Sequence, residues 1–167
     1  MTQQTDVAEA VALLKERGMT VAVAESLTGG MVASRIVDVP GASAVFGTGV
    51  VSYQNTCKMK LLGVSEDTLR NLGAVSRETA LQMATGVRRL AGATVGISTT
   101  GEAGPDAAEK PVGTVFVALT DGKREIVRKL LLSSPGCDRA EIRRRAADAA
   151  LTLLCDYLHG EKASKTV

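Results

Sequence analysis

Segments with helical period and segments with strand period alternate along the first hundred residues, and two strand-like segments then run back to back. This order restricts the fold more than any other feature. Val7, Ala10, Val11 and Leu14 share one helical face, so residues 6–17 read as a helix with Thr5 or Asp6 to cap it and Gly18 to stop it. TVAVAES (20–26) alternates as a strand, and Gly29-Gly30 then open a helix over MVASRIVDV, which must stop before Pro40. FGTGVVSYQ (46–54) reads as a strand and NTCKMKLLG (55–63) as a short helix. Ser65 and Ser76 are placed to cap two more helices, one running through Leu72, the other with Ala80, Met83, Val87 and Leu90 on one face. ATVGISTT (93–100) is a third strand, GEAGPDAAEKPV a loop, and GTVFVALT, DGK and REIVRKLLLS a hairpin. A last helix runs from 138 to about 158, leaving EKASKTV as a solvated tail. Helices between the early strands require parallel pairing, whereas the late hairpin requires antiparallel pairing. The predicted class is α/β, three-layer α/β/α with a mixed β-sheet.

One domain is expected over 1–167, with its core at about 6–158 and a flexible tail at 159–167, because 167 residues suffice for one core and hardly for two. Only 2% of the residues are aromatic, so aliphatic side chains must fill that core. A formal net charge of +2 and four aromatic rings give no basic groove with stacking platforms, which argues against nucleic acid as a partner. Three cysteines without a CxxC spacing fit reduced thiols. With no signal-like N-terminus and no apolar run long enough to span a bilayer, a cytoplasmic protein without membrane contact is expected.

The chemistry is narrowed mainly by exclusion. The single histidine, His159, lies at the end of the last helix, which leaves no Ser/His/Asp or Cys/His triad. No His/Cys cluster suggests a metal, neither GxxxxGK[ST] nor GxGxxG occurs, and no cofactor is expected. Ser26 still admits two readings. Either Ser26 or Thr28 caps the following helix, or Ser26 is a nucleophile whose base is a lysine or tyrosine. Tyr53, at a strand end, and Lys58, in the first turn of the next helix, are the groups that topology would bring to the same rim. Each also has an ordinary structural reading, as a half-buried strand tyrosine and a surface lysine. The loop TGEAGP (100–105) follows a strand's carboxyl end, where ligands commonly bind. Arg139 and Arg143 share a face near a helix N-terminus and suit a phosphate.

AESLTGG (24–30), VVSYQNTCKMKLLGV (50–64), GAVS (73–76), TGEAGP (100–105), EKPVGTV (109–115) and Asp138-Arg139 together resemble the CinA C-terminal domain family, over about residues 6–158. The enzymatic members of that family are nicotinamide-nucleotide amidohydrolases. The resemblance implies hydrolysis of the carboxamide of nicotinamide mononucleotide (NMN) to nicotinate mononucleotide and ammonia, with Ser26 as nucleophile, Lys58 as base and Tyr53 assisting. It implies substrate contacts at Thr28, Gly29, Gly30, Thr100, Gly101, Ala103, Gly104, Arg139 and Arg143, with oxyanion donors in 28–30 or 101–104. NMN is the implied small-molecule partner, and a homo-oligomer is expected. Without a counterpart of the family's N-terminal domain, a stand-alone enzyme is expected. The rival readings are a non-catalytic nucleotide-binding or regulatory module and an amidohydrolase of another small amide. The chain departs from the family pattern where DAAEKP is two residues shorter than the usual glycine-rich run, where Glu102 replaces an apolar residue, at Thr56-Cys57, and in one extra residue before Asp138. The first two changes alter the shape and charge of the ligand loop.

Overall fold

The computed structural model describes residues 3–160. The elements are α1 (Gln3–Glu16), β1 (Val21–Glu25), α2 (Met31–Val37), a 3-10 turn (Ala42–Ala44), β2 (Phe46–Val51), α3 (Asn55–Leu62), α4 (Glu66–Leu72), α5 (Arg77–Ala91), β3 (Val95–Gly101), β4 (Thr114–Thr120), β5 (Glu125–Leu131) and α6 (Arg139–Leu158). The expected tail, 161–167, lies outside the described residues. Because α1 already begins at Gln3, Thr5 and Asp6 lie inside the helix and neither is its N-cap.

The sheet order is β2-β1-β3-β4-β5. β1 pairs in parallel with β2 and β3, while β4 is antiparallel to β3 and β5 to β4. The mixed α/β sheet expected from the order of periodicities is therefore present, with helices on both faces. Alternation along β1 sorts its side chains between them. Val21 and Val23 join the large cluster with α1, α2 and α6, through Leu14, Ile36, Ile142 and Leu154. Ala22 and Ala24 face the other layer, with Leu62 of α3 and Met83 and Val87 of α5. Small residues also tighten that second layer. A Cβ on Gly86 of α5 would lie 1.9 Å from the Leu62 carbonyl oxygen, so the glycine lets α3 press onto α5. Among the described residues no helix is long and apolar enough to cross a membrane.

Two features differ from expectation. β2 ends at Val51 rather than at residue 54, because its one sheet neighbour, β1, ends at the Glu25–Val51 pair; the Ser52 N–H still donates to the Glu25 carbonyl at 2.8 Å, and beyond it the strand has no partner. Leu90, expected on the buried face of α5, is 56% exposed, and its neighbour Ala91 packs against the Leu62, Met83 and Val87 cluster in its place. The caps expected of Ser65 and Ser76 are present: their hydroxyls accept from the N–H groups of Thr68 and Thr79.

Candidate active site

Parallel pairing brings the carboxyl ends of β1, β2 and β3 to one rim, and antiparallel β4 begins there. The N-terminus of α3 follows β2 directly, and α6 starts beside the same rim, where Arg139 reaches Tyr53 and Gly104. A cavity of about 240 Å³ opens there, lined among others by Ser26, Tyr53, Lys58, Thr100, Glu109 and Arg139.

The rim first resolves which group caps α2. Its N-cap position is Gly30, with no side chain of its own to offer. The carboxylate of Glu25 supplies the acceptors instead. Glu25 Oε2 takes the N–H groups of Gly30 at 3.0 Å and Val32 at 3.1 Å, and Oε1 takes that of Ala33 at 2.8 Å. A carboxylate five residues upstream reaches the helix because Gly29 and Gly30, both at positive φ, fold the chain back on itself. A buried charge in this position is compensated by charge-assisted bonds and by the positive end of the helix. Thr28 does not cap either: its hydroxyl is hydrogen-bonded to that of Thr99 at 2.7 Å. Ser26 is thereby released from the structural role that the sequence left open.

Ser26 Oγ instead meets Lys58 Nζ at 3.0 Å. Lys58 is 1% exposed, and its amine also donates to the carbonyl oxygens of Ser52, at 2.7 Å, and Tyr53, at 3.4 Å. The place follows from the chain path. Once β2 loses its partner the backbone turns, and α3 carries Lys58 back beneath the carbonyls it has just left. Burial disfavours the ammonium and pulls the lysine pKa from 10.5 to about 8, against the opposing pull of Glu109 and Cys57. When Lys58 loses a proton, its two remaining N–H groups suffice for the two carbonyls. The lone pair is then left to accept from Ser26 Oγ–H. A neutral amine, a hydroxyl and a cavity are the groups that acyl transfer without imidazole would require.

The remaining sequence-derived residues divide. Tyr53 lines the cavity, but its hydroxyl accepts from Arg139 Nη2 at 2.8 Å and only its backbone carbonyl meets Lys58. Arg139 also donates to the Gly104 carbonyl, so its guanidinium is held at the cavity wall. Arg143 is used otherwise. Its Nε donates to the Leu27 carbonyl at 2.7 Å and its Nη2 to that of Thr28 at 3.3 Å, which clamps the Ser26 bend to α6. Thr100, Gly101 and Ala103 line the cavity, and the Thr100 hydroxyl donates to the Ala74 carbonyl at 2.7 Å. Thr28, Gly29, Gly30, Gly104 and Arg143, expected as substrate contacts, do not line the cavity: the first three belong to the bend, and Gly104 meets Arg139 through its carbonyl. Of the N–H groups in 28–30, that of Gly29 donates to the Ser26 carbonyl and that of Gly30 to Glu25.

Sequence reasoning missed Glu25 and Glu109. The signal for Glu25 is a charged residue ending a wholly apolar strand, followed at once by a glycine-bearing bend. Glu109 lies in a loop whose sequence carries no periodicity. Its carboxylate lines the cavity and accepts from the Val75 N–H at 3.0 Å.

Comparison with known proteins gives concordant results. A family model described as the CinA C-terminal domain matches residues 3–158. A putative competence-damage inducible protein of Thermoanaerobacter pseudethanolicus is 49% identical over 91% of the chain. The chain spans 37% of that relative's length. Among solved structures, the competence/damage inducible protein CihA from Agrobacterium tumefaciens is 37% identical with a TM-score of 0.82, covering 92% of this chain and 96% of that one. A CinA superfamily protein from Klebsiella pneumoniae has a TM-score of 0.90 at 28% identity, covering 96% and 99% of the two chains.

Proposed function

Because the chain belongs to the CinA C-terminal domain family, we propose that it is an amidohydrolase that converts NMN to nicotinate mononucleotide and ammonia. The observation that carries this reading is the buried Lys58 amine 3.0 Å from Ser26 Oγ, facing a cavity that also holds a cationic side chain for a phosphate.

In the acylation step Lys58 accepts the hydroxyl proton while Ser26 Oγ bonds to the carboxamide carbon. The C–N bond then breaks, and Lys58 returns the proton to the nitrogen, which leaves as ammonia. In the second half a water gives a proton to Lys58 and bonds to the acyl carbon, and Ser26 departs with that proton. The N–H of Leu27, next to the nucleophile at the cavity, is the oxyanion donor we assign, since Gly29 and Gly30 are committed elsewhere and Thr28 does not line the cavity. Arg139 takes the 5′-phosphate in a two-pronged contact. Tyr53, held by Arg139, couples that contact to the carbonyls around Lys58 and acts in positioning.

Incubation of the purified protein with NMN, with ammonia and nicotinate mononucleotide measured together, tests this directly. Equal amounts of both products are expected, with turnover lost in Ser26→Ala and Lys58→Ala while far-UV circular dichroism is unchanged. Tight binding of NMN without ammonia would replace the reading with a nucleotide-binding module. Neither binding nor turnover would mean another small amide.

A further inference from the structure

Glu109 is placed too deliberately for a loop glutamate. Its Oε2 accepts from the Val75 N–H at 3.0 Å, and its own N–H donates to Glu102 Oε1 at 2.8 Å. Gly73, at φ +84°, lies so close beneath it that a Cβ there would be 2.4 Å from Oε2. The segment 73–75 thus forms a seat for this carboxylate, and the seat opens on the same cavity as Ser26 and Lys58. Four charged side chains line that cavity: Lys58, Arg139, Glu102 and Glu109. Among the described residues none of the four forms an ion pair with another. Arg139 bonds the Gly104 carbonyl and the Tyr53 hydroxyl, and among the described residues it forms no ion pair with either glutamate.

For the base alone, Glu109 is a disadvantage, since its negative charge favours the protonated lysine. A group that opposes deprotonation of the base and is nevertheless held at the same cavity by the Val75 N–H serves something else there. We propose that Glu109 makes the site selective for a substrate whose reacting carboxamide is borne on a cationic heteroaromatic ring, while Arg139 receives the anionic group of the same molecule. This rests on the amidohydrolase reading for the identity of the ring, a pyridinium in NMN. The cation is attracted by Glu109 in both ground and transition states, so the benefit falls on binding. A neutral ring of the same shape forgoes it.

The experiment is calorimetric titration of the Ser26→Ala protein, which cannot turn over, with NMN and with its reduced dihydropyridine form at low ionic strength, repeated in Ser26→Ala/Glu109→Gln. The amide introduced by Glu109→Gln retains an acceptor for the Val75 N–H. An exposed carboxylate gives a preference for NMN of about two- to fivefold, which should fall with added salt and vanish in the Glu109→Gln background. A merely structural role for Glu109 would weaken both ligands equally and leave the ratio intact. Equal affinity for the two ligands with Glu109 present, or an undiminished ratio without it, overturns the proposal. If the glutamine variant does not fold, the ratio and its salt dependence in Ser26→Ala decide alone. Failure of the amidohydrolase reading is separately visible, as absence of ammonia from the unmodified protein despite an intact preference for the cation.

Discussion

Lys58 titrates within an accessible pH range, so the activity should report it. Only the neutral amine can accept the Ser26 proton, and kcat/KM follows the neutral fraction in the free enzyme. With a pKa of about 8, that fraction is about one tenth at pH 7 and about nine tenths at pH 9, so activity should rise about tenfold and level off. A lysine at 10.5 would instead give about a hundredfold rise over the same interval, with no plateau. The charges near the amine set the second perturbation. Glu109 and Cys57 both hold the pKa up against burial, so Glu109→Gln should move the limb to lower pH. The assay is nicotinate mononucleotide formation at subsaturating NMN, measured chromatographically at half-unit steps from pH 6.5 to 10. A flat profile, a rise that continues past pH 9.5, or an upward shift in Glu109→Gln would refute the assignment of Lys58 as a desolvated base.

The same desolvation has a stability consequence. The folded pKa is depressed, so between about 8 and 10.5 the unfolded chain binds more protons and stability rises with pH. Compared with Lys58→Met in urea unfolding, that rise should amount to something on the order of 3 kcal/mol when complete, and the methionine variant should lack it. Glu25→Ala removes acceptors for three N–H groups of the Ser26 bend and α2. A loss of about 1–2 kcal/mol in thermal unfolding is expected, together with a larger fall in kcat than in KM. The two arginines should separate. Arg139→Ala should raise KM for NMN about tenfold or more with melting nearly unchanged, whereas Arg143→Ala, which frees the Leu27 and Thr28 carbonyls, should lower the melting temperature first.

The fold was legible because its determinants are periodic. The valine and alanine alternation of β1 predicted the strand, and Ser65 and Ser76 capped where hydroxyls usually cap. The neighbourhood of Ser26 and Lys58 was reachable because the one histidine lies at the end of the last helix and the chain order brings Tyr53 and Lys58 to the rim where Ser26 emerges. The end of β2 was not, because strand propensity in VVSYQ is unaware that β1 has already turned away. Glu25 escaped notice for a related reason. Helix caps are sought at the residue before the first turn, and here the glycine bend brings an acceptor from five residues upstream. Nor does sequence divide labour between Arg139 and Arg143, one turn apart on a single helix. Which of them faces the cavity and which ties down the bend depends on where the loop carbonyls of Leu27, Thr28 and Gly104 lie.

The most direct test of a lysine-activated Ser26 nucleophile is mass spectrometry of protein quenched in acid during the first turnover of NMN at pH 9. The account predicts an added nicotinate mononucleotide acyl group on the peptide containing Ser26, with none formed by Lys58→Met. An adduct on any other side chain, or undiminished turnover by Ser26→Ala, would contradict it.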